Sequence, residues 1–160
     1  MEPAYTLLTS EADYRQACAS IIGRAERELL IFDRDLVAPR LDEKSSIDLL
    51  TAFLTAPGLR RIRIVLHEPE RLRAQAPRLM QLFAHFSHLI EIRQTPDNLR
   101  QLADSHILAD GVHAIRRFQF DQPRCALHLD DPAAVHPWSQ RFEDLWEQSL
   151  PCLSANTTGL

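Results

Sequence analysis

The chain is nearly devoid of lysine: Lys44 is the only one among 18 basic residues. A lysine-dependent mechanism therefore has one candidate, and arginine carries the basic character. Cysteine is scarce as well. Cys18, Cys125 and Cys152 are odd in number and lack CxxC spacing, which argues against a disulfide framework or a zinc site. No apolar run approaches the ~18 residues of a spanning helix, so no membrane partner is expected. The opening Met1-Glu2-Pro3-Ala4-Tyr5 lacks a basic stretch followed by an apolar one, so no signal peptide is read and a cytoplasmic location is expected. An excess of positive charge is also missing. The net charge of −4 gives no global electrostatic case for nucleic acid or an acidic membrane surface.

What is present is ordinary for a globular protein. An apolar share of 45% in 160 residues supports one core and one domain. The expected domain covers residues 1–150, with a flexible C-terminal tail at 151–160, small and polar from Ser154 onward.

Thr9 or Ser10 can cap a first helix whose buried stripe is Tyr14, Ala17, Cys18, Ile21 and Ile22. Glu28 to Asp33 then reads as a buried strand. A second helix carries Ile47, Leu49, Leu50, Phe53 and Leu54 and stops at Pro57-Gly58. Arg61 to His67 is the next strand, and Leu79 to Phe86 marks a third helix. Leu89 to Arg93 is another strand. Strands at about His106–Ala109 and Val112–Phe118 flank Asp110-Gly111, a hairpin signal. Cys125 to Leu129 leads into a last helix with Asp131 as cap and Pro132 as first residue. The order predicts an α/β sandwich: a mixed, mostly parallel sheet with helices on both faces.

Several clusters carry possible chemistry. Asp33, Asp35, His67 and Glu68 follow strands that would line one crevice if those strands are parallel neighbours. With His106 or Asp110 added, that crevice suits a divalent ion; charged loop ends in water are the plainer reading, and no metal is assigned. His85 and His88 are spaced i, i+3 on the third helix but lack a third ligand. Arg116 and Arg117, with Phe118 and Phe120, suit phosphate contact and base stacking, against a plainer reading of solvated strand ends and core aromatics. Arg60, Arg61 and Arg63 form a second basic group. Trp138 and Trp146 share a helix face, which suits core packing or a partner-facing patch.

The ordered set resembles one half of the phospholipase D superfamily. Ala25 before Glu28 to Phe32, Leu49 to Leu54 followed by Gly58 and Arg61 to Leu66, Ile107 to Gly111, and Asp131-Pro132 with Phe142 to Trp146 are similar to that family's successive units, over roughly residues 10 to 149. The family motif His-x-Lys-x4-Asp places its Asp on Asp110 here. Its His position is then Ala103 and its Lys position Ser105. In the family, the resemblance implies, the His attacks phosphorus and the Lys neutralises phosphate oxygens. Ala103 cannot do the first, and Ser105 supplies only a neutral hydroxyl. His106 is a near-miss, turned to the opposite face of its strand.

The expectation is a bacterial, catalytically inactive phospholipase D-like domain acting as a binding or assembly module, with no cofactor. A homodimer or partner protein is expected, because the family packs two such halves together. Two alternatives stay open: a nucleic-acid or phosphate-ligand binder, and a phosphodiesterase with a relocated site. The candidate ligand-binding residues are Asp33, His67, His106, Asp110, Arg116 and Arg117.

Overall fold

The computed structural model describes residues 2–153. Its centre is a β-α-β-α-β unit. Strand β2 (Glu28–Asp33) pairs in parallel with β3 (Arg61–Leu66), and β3 with β4 (Ile90–Gln94). The connections carry helix α2 (Lys44–Thr55) and the short pair α3 (Glu70–Gln75) and α4 (Pro77–His85). On the other side of β2 the sheet turns antiparallel. Strand β5 (Ser105–Ala109) pairs β2, β6 (His113–Arg117) pairs β5, and β7 (Cys125–Leu129) pairs β6. Two further strands close the edges, β1 (Ala4–Leu8) on β7 and β8 (Leu150–Leu153) on β4. The strand order is β1-β7-β6-β5-β2-β3-β4-β8.

Local chemistry sets several boundaries. Helix α1 (Glu11–Arg24) starts at Ser10, whose hydroxyl accepts the Asp13 N–H at 3.1 Å. Helix α5 (Pro132–Gln148) starts at Asp131, which accepts from Ala134 N–H, with Pro132 in the first turn where no N–H is needed. That helix continues through Pro137. Asp110 and Gly111 have φ of 57° and 70°, and Val112 N–H donates to Ala109 C=O at 3.0 Å. This left-handed pair is the tight turn that suits the twist of a hairpin.

The sheet separates two apolar layers. Alternate residues Leu29, Ile31, Ile62, Ile64, Ile107 and Ile115 pack under α1, α2 and α4. The opposite residues Leu30, Phe32, Val65, Leu108 and Ala114 meet Val135, Phe142, Leu145 and Trp146 of α5. Each such side chain fully removed from water contributes about 1.5–3 kcal/mol. Arg63 reinforces the second layer. It is 7% exposed, forms two 2.7 Å hydrogen bonds with Glu143, and lies over the Trp146 and Phe142 rings.

The α/β class with helices on both faces stands. The balance of pairings is a correction: only β2–β3 and β3–β4 are parallel among the described strands, because the chain returns by hairpins after β5. Strands β1 and β8 were not read in the sequence. Pro151–Leu153, placed there in a tail, belong to the β8 edge; the remainder of that tail, 154–160, lies outside the described residues. His88 lies beyond the end of α4, so His85 and His88 do not share a helix.

Candidate functional site

The carboxyl end of β2 and the start of β5 form the end of the sheet where the family motif places its nucleophile. Ala103 is half-buried, and its C=O accepts the Phe120 N–H at 2.7 Å, so the loop after β6 is tied to that position. Ser105 is 2% exposed. His106 points the other way, into the α5 layer, packed on Phe32, Trp138 and Phe142. Neither of its ring nitrogens has a hydrogen-bond partner. Burial, helped by the nearby Arg141 and Arg116 charges, drops its pKa to about 3. A sealed, neutral imidazole offers no route to a substrate.

Strands β2 and β3 are the parallel neighbours that a shared crevice requires, yet alternation splits the set. Asp33 faces the α1 layer. Its Oδ2 accepts N–H from Asp35 at 3.2 Å and Leu36 at 2.7 Å, the latter residue with φ of 65°. Burial nonetheless pushes its pKa up to about 6, outweighing those two donors. His67 faces the α5 layer against Phe32. Its Nδ1 lies 2.7 Å from Thr95 Oγ1 and its Nε2 2.9 Å from Leu102 C=O, so the ring fastens the loop between β4 and β5. Burial lowers its pKa too. Asp35 pairs with Arg71, and Glu68 with Arg34 and Arg71. Among the described residues no three His, Cys, Asp or Glu side chains converge as a metal site would need.

Asp110 lies at the opposite end of the sheet, because β5 runs antiparallel to β2. Its carboxylate accepts three backbone N–H groups, from Glu26, Arg27 and Glu28, at 2.8–2.9 Å. It therefore caps the entry into β2, away from Asp33 and His106.

Arg116 and Arg117 do not form one patch. Arg117 faces α1, is 2% exposed, and pairs through both terminal nitrogens with Glu11 at 2.6 and 3.1 Å, above the Tyr14 ring. The Glu11 carboxyl is held below its usual range by that hydrogen bond. Arg116 faces the α5 side. It is half-buried and, among the described residues, has no carboxylate within ion-pair distance. Its guanidinium sits 4.1 Å over the Trp138 ring and 5.6 Å from Phe118, and its Nε donates to His128 Nε2 at 3.4 Å. Burial lowers its pKa.

Helix α5 packs on β2, β5 and β6, and beyond it on the same face Ala126 and His128 are buried while the β1 residues that pair with them are exposed. Tyr5, 59% exposed, sets its ring at a tilt 5.1 Å from His128, and Leu7 beside it is 43% exposed. Arg124 lies over Phe118. Tyr5, His128 and Arg124 were not read with this site. Their grouping depends on β1 pairing with a strand more than 100 residues away, with Tyr5 opposite His128. Trp146 is buried in the core, while Trp138 is half-buried beneath the Arg116 guanidinium.

The fold is that of the phospholipase D family. The structure is similar to Nuc from Salmonella typhimurium, a phospholipase D family member, with a TM-score of 0.68 at 17% identity over 96% of this chain and 100% of that one. It is similar to NucT from Helicobacter pylori, with a TM-score of 0.63 at 10% identity over 94% and 100%. It is also similar to TrmBL2, an archaeal chromatin protein with a novel mode of DNA binding, with a TM-score of 0.68 at 14% identity. That match covers 92% of this chain but spans only 54% of the chromatin protein. No curated protein matches the chain. The model of a domain of unknown function, DUF7931, matches residues 10–157, and the chain belongs to that family.

Proposed function

We propose that this chain is a non-catalytic phospholipase D-like binding module. It takes a phosphate-bearing strand, single-stranded nucleic acid first, at the surface around Arg116 and the exposed Tyr5. The observation that carries this reading is Arg116 itself: a half-buried guanidinium with no carboxylate partner among the described residues, set among Trp138, Phe118 and His128. A charge held this way favours an external anion, and exposed Tyr5 beside it offers a ring for a base to stack on. The DNA-binding neighbour supports the class of ligand, since its fold is shared over most of this chain.

The non-catalytic part rests on Ala103 and Ser105 at the motif positions and on His106, which is 2% exposed. Asp33 lies on the opposite face and Asp110 at the opposite end from His67 and His106, which share only the buried Phe32 ring, and this does not favour a relocated phosphodiesterase. Residues 1–150 act as one unit in this reading, and the unit works as a homodimer, as the half-domain resemblance implies.

The test is fluorescence anisotropy with labelled single- and double-stranded oligonucleotides at low and moderate salt. Micromolar, salt-sensitive binding is expected, with Arg116→Glu weakening it by about tenfold or more and flattening the salt slope. No binding at either salt, or binding indifferent to Arg116→Glu, removes the ligand assignment. Turnover of bis(p-nitrophenyl) phosphate removes the non-catalytic one. Light scattering after gel filtration reads the assembly state.

A further inference from the structure

The amino ends of β2 and β3, opposite the motif end, border a cleft of about 500 Å³ lined by Arg27, Glu28, Leu59, Arg60, Arg61 and Asp110. That volume is within the range of small-molecule sites. We propose that this cleft binds the phosphate end of a small phosphorylated metabolite of the nucleotide class.

Arg27, Arg60 and Arg61 all line this cleft, and none of them forms an ion pair among the described residues. Arg27 and Arg61 are exposed. Arg60 is half-buried and fixed in place: its Nη2 donates to Pro57 C=O at 3.0 Å, its Nη1 to Ala25 C=O at 3.5 Å, and it lies over the Phe53 ring. Carbonyl dipoles orient that charge without cancelling it. The cleft also holds two carboxylates, and neither is ion-paired with its arginines among the described residues. Both Asp110 oxygens are taken up by the N–H groups of residues 26–28. Glu28 stands opposite Arg61 in the β2–β3 register without forming an ion pair.

Arginine forks match phosphate oxygens in pairs, and a guanidinium ordered beforehand loses little entropy on binding. A neighbouring hollow of about 220 Å³ shares Arg60 and Arg61 and adds Ser87, His88 and Glu91, whose carboxylate is paired with Arg93 at 3.3 Å, so a diphosphate has room to extend. Leu59, 95% exposed at the rim, offers an apolar surface to the non-phosphate part of the ligand. Gly58, with φ of 101°, makes the turn that presents it.

Calorimetric titration of the full chain with inorganic pyrophosphate, ADP and adenosine tests this. Pyrophosphate and ADP should bind, ADP more tightly, while adenosine should not. The double variant R27A/R61A should lose about tenfold or more in affinity for both phosphates. Both positions are exposed, so folding should survive, which circular dichroism checks. R116A should leave these affinities unchanged, which separates this site from the nucleic-acid face. No saturable heat up to about 1 mM ligand overturns the proposal. So does unaltered affinity in R27A/R61A, adenosine binding as tightly as ADP, or loss of pyrophosphate binding in R116A instead.

Discussion

Arg116 and Arg117 are adjacent in sequence and opposite in circumstance. Strand alternation sends Arg117 under α1, where Glu11 takes both terminal nitrogens, and Arg116 to the α5 side, where no carboxylate reaches it. The two ends of the sheet repeat the contrast. At the carboxyl end, Arg34, Arg71 and Arg117 each face a carboxylate from another segment of the chain. At the amino end, Arg27, Arg60 and Arg61 form no ion pair among the described residues. In a chain that relies on arginine, pairing is therefore the informative variable. Paired arginines fasten elements together; unpaired ones beside a cleft or an aromatic face are available to a ligand.

Replacing Arg117 should break the comparison hardest. Arg117→Ala removes two hydrogen bonds to Glu11, the stacking on Tyr14 and a buried stem. Urea denaturation should show a loss of about 3 kcal/mol. The pairing itself is also pH-sensitive. Glu11 has a folded pKa below its unfolded value, so its share of stability is present above the unfolded pKa and is lost as acid protonates it.

Asp33 should show the opposite sign. Its pKa is raised from 3.8 to about 6 on folding. Below 3.8 it is protonated in both states. Between 3.8 and about 6 the unfolded chain releases the proton first, so stability falls as pH rises, and the loss is complete above 6. Asp33→Asn keeps an acceptor for the Leu36 N–H and should remove a decline of roughly 2 kcal/mol from this window. Melting curves from pH 4 to 7 decide the point; an unchanged slope in the variant would show that Asp33 ionises without penalty.

The central fold was legible because its signals are local. The Ser10 and Asp131 caps, the Asp110-Gly111 turn and the apolar run of β2 each act within a few residues. The edge strands were not. The β1 residues Ala4 to Thr6 are exposed and Leu8 is only half-buried, so there is no buried alternation to read. Strand β8 exists only because β4 offers it an edge. The candidate site was legible in kind but not in grouping. Aspartates and histidines after parallel strands suggested one crevice, yet one-residue offsets put Asp33 and His67 on opposite faces. The direction of β5 likewise moved Asp110 to the far end, a consequence of pairing that spacing does not contain.

Glu143 provides a milder test of the paired class. Its side chain is 48% exposed while that of Arg63 is 8% exposed, so Glu143→Ala strands a buried charge whose partner was partly solvated. Screening at the exposed end reduces the cost to about 1–2 kcal/mol, read as a shift in the urea midpoint.

Arg116 should cost least in stability and most in binding. A half-buried guanidinium without a counter-ion carries a desolvation penalty that the Trp138 ring only partly offsets. Arg116→Ala removes both terms, and the net change should fall within about 0.5 kcal/mol of zero. The same substitution should weaken salt-sensitive oligonucleotide binding several-fold, less than the charge reversal does. A structural arginine predicts the reverse pattern: lost stability with binding retained. Measuring unfolding and anisotropy on one preparation of this variant therefore separates the two kinds of arginine, and a loss as large as that expected for Arg117→Ala would return Arg116 to the structural class.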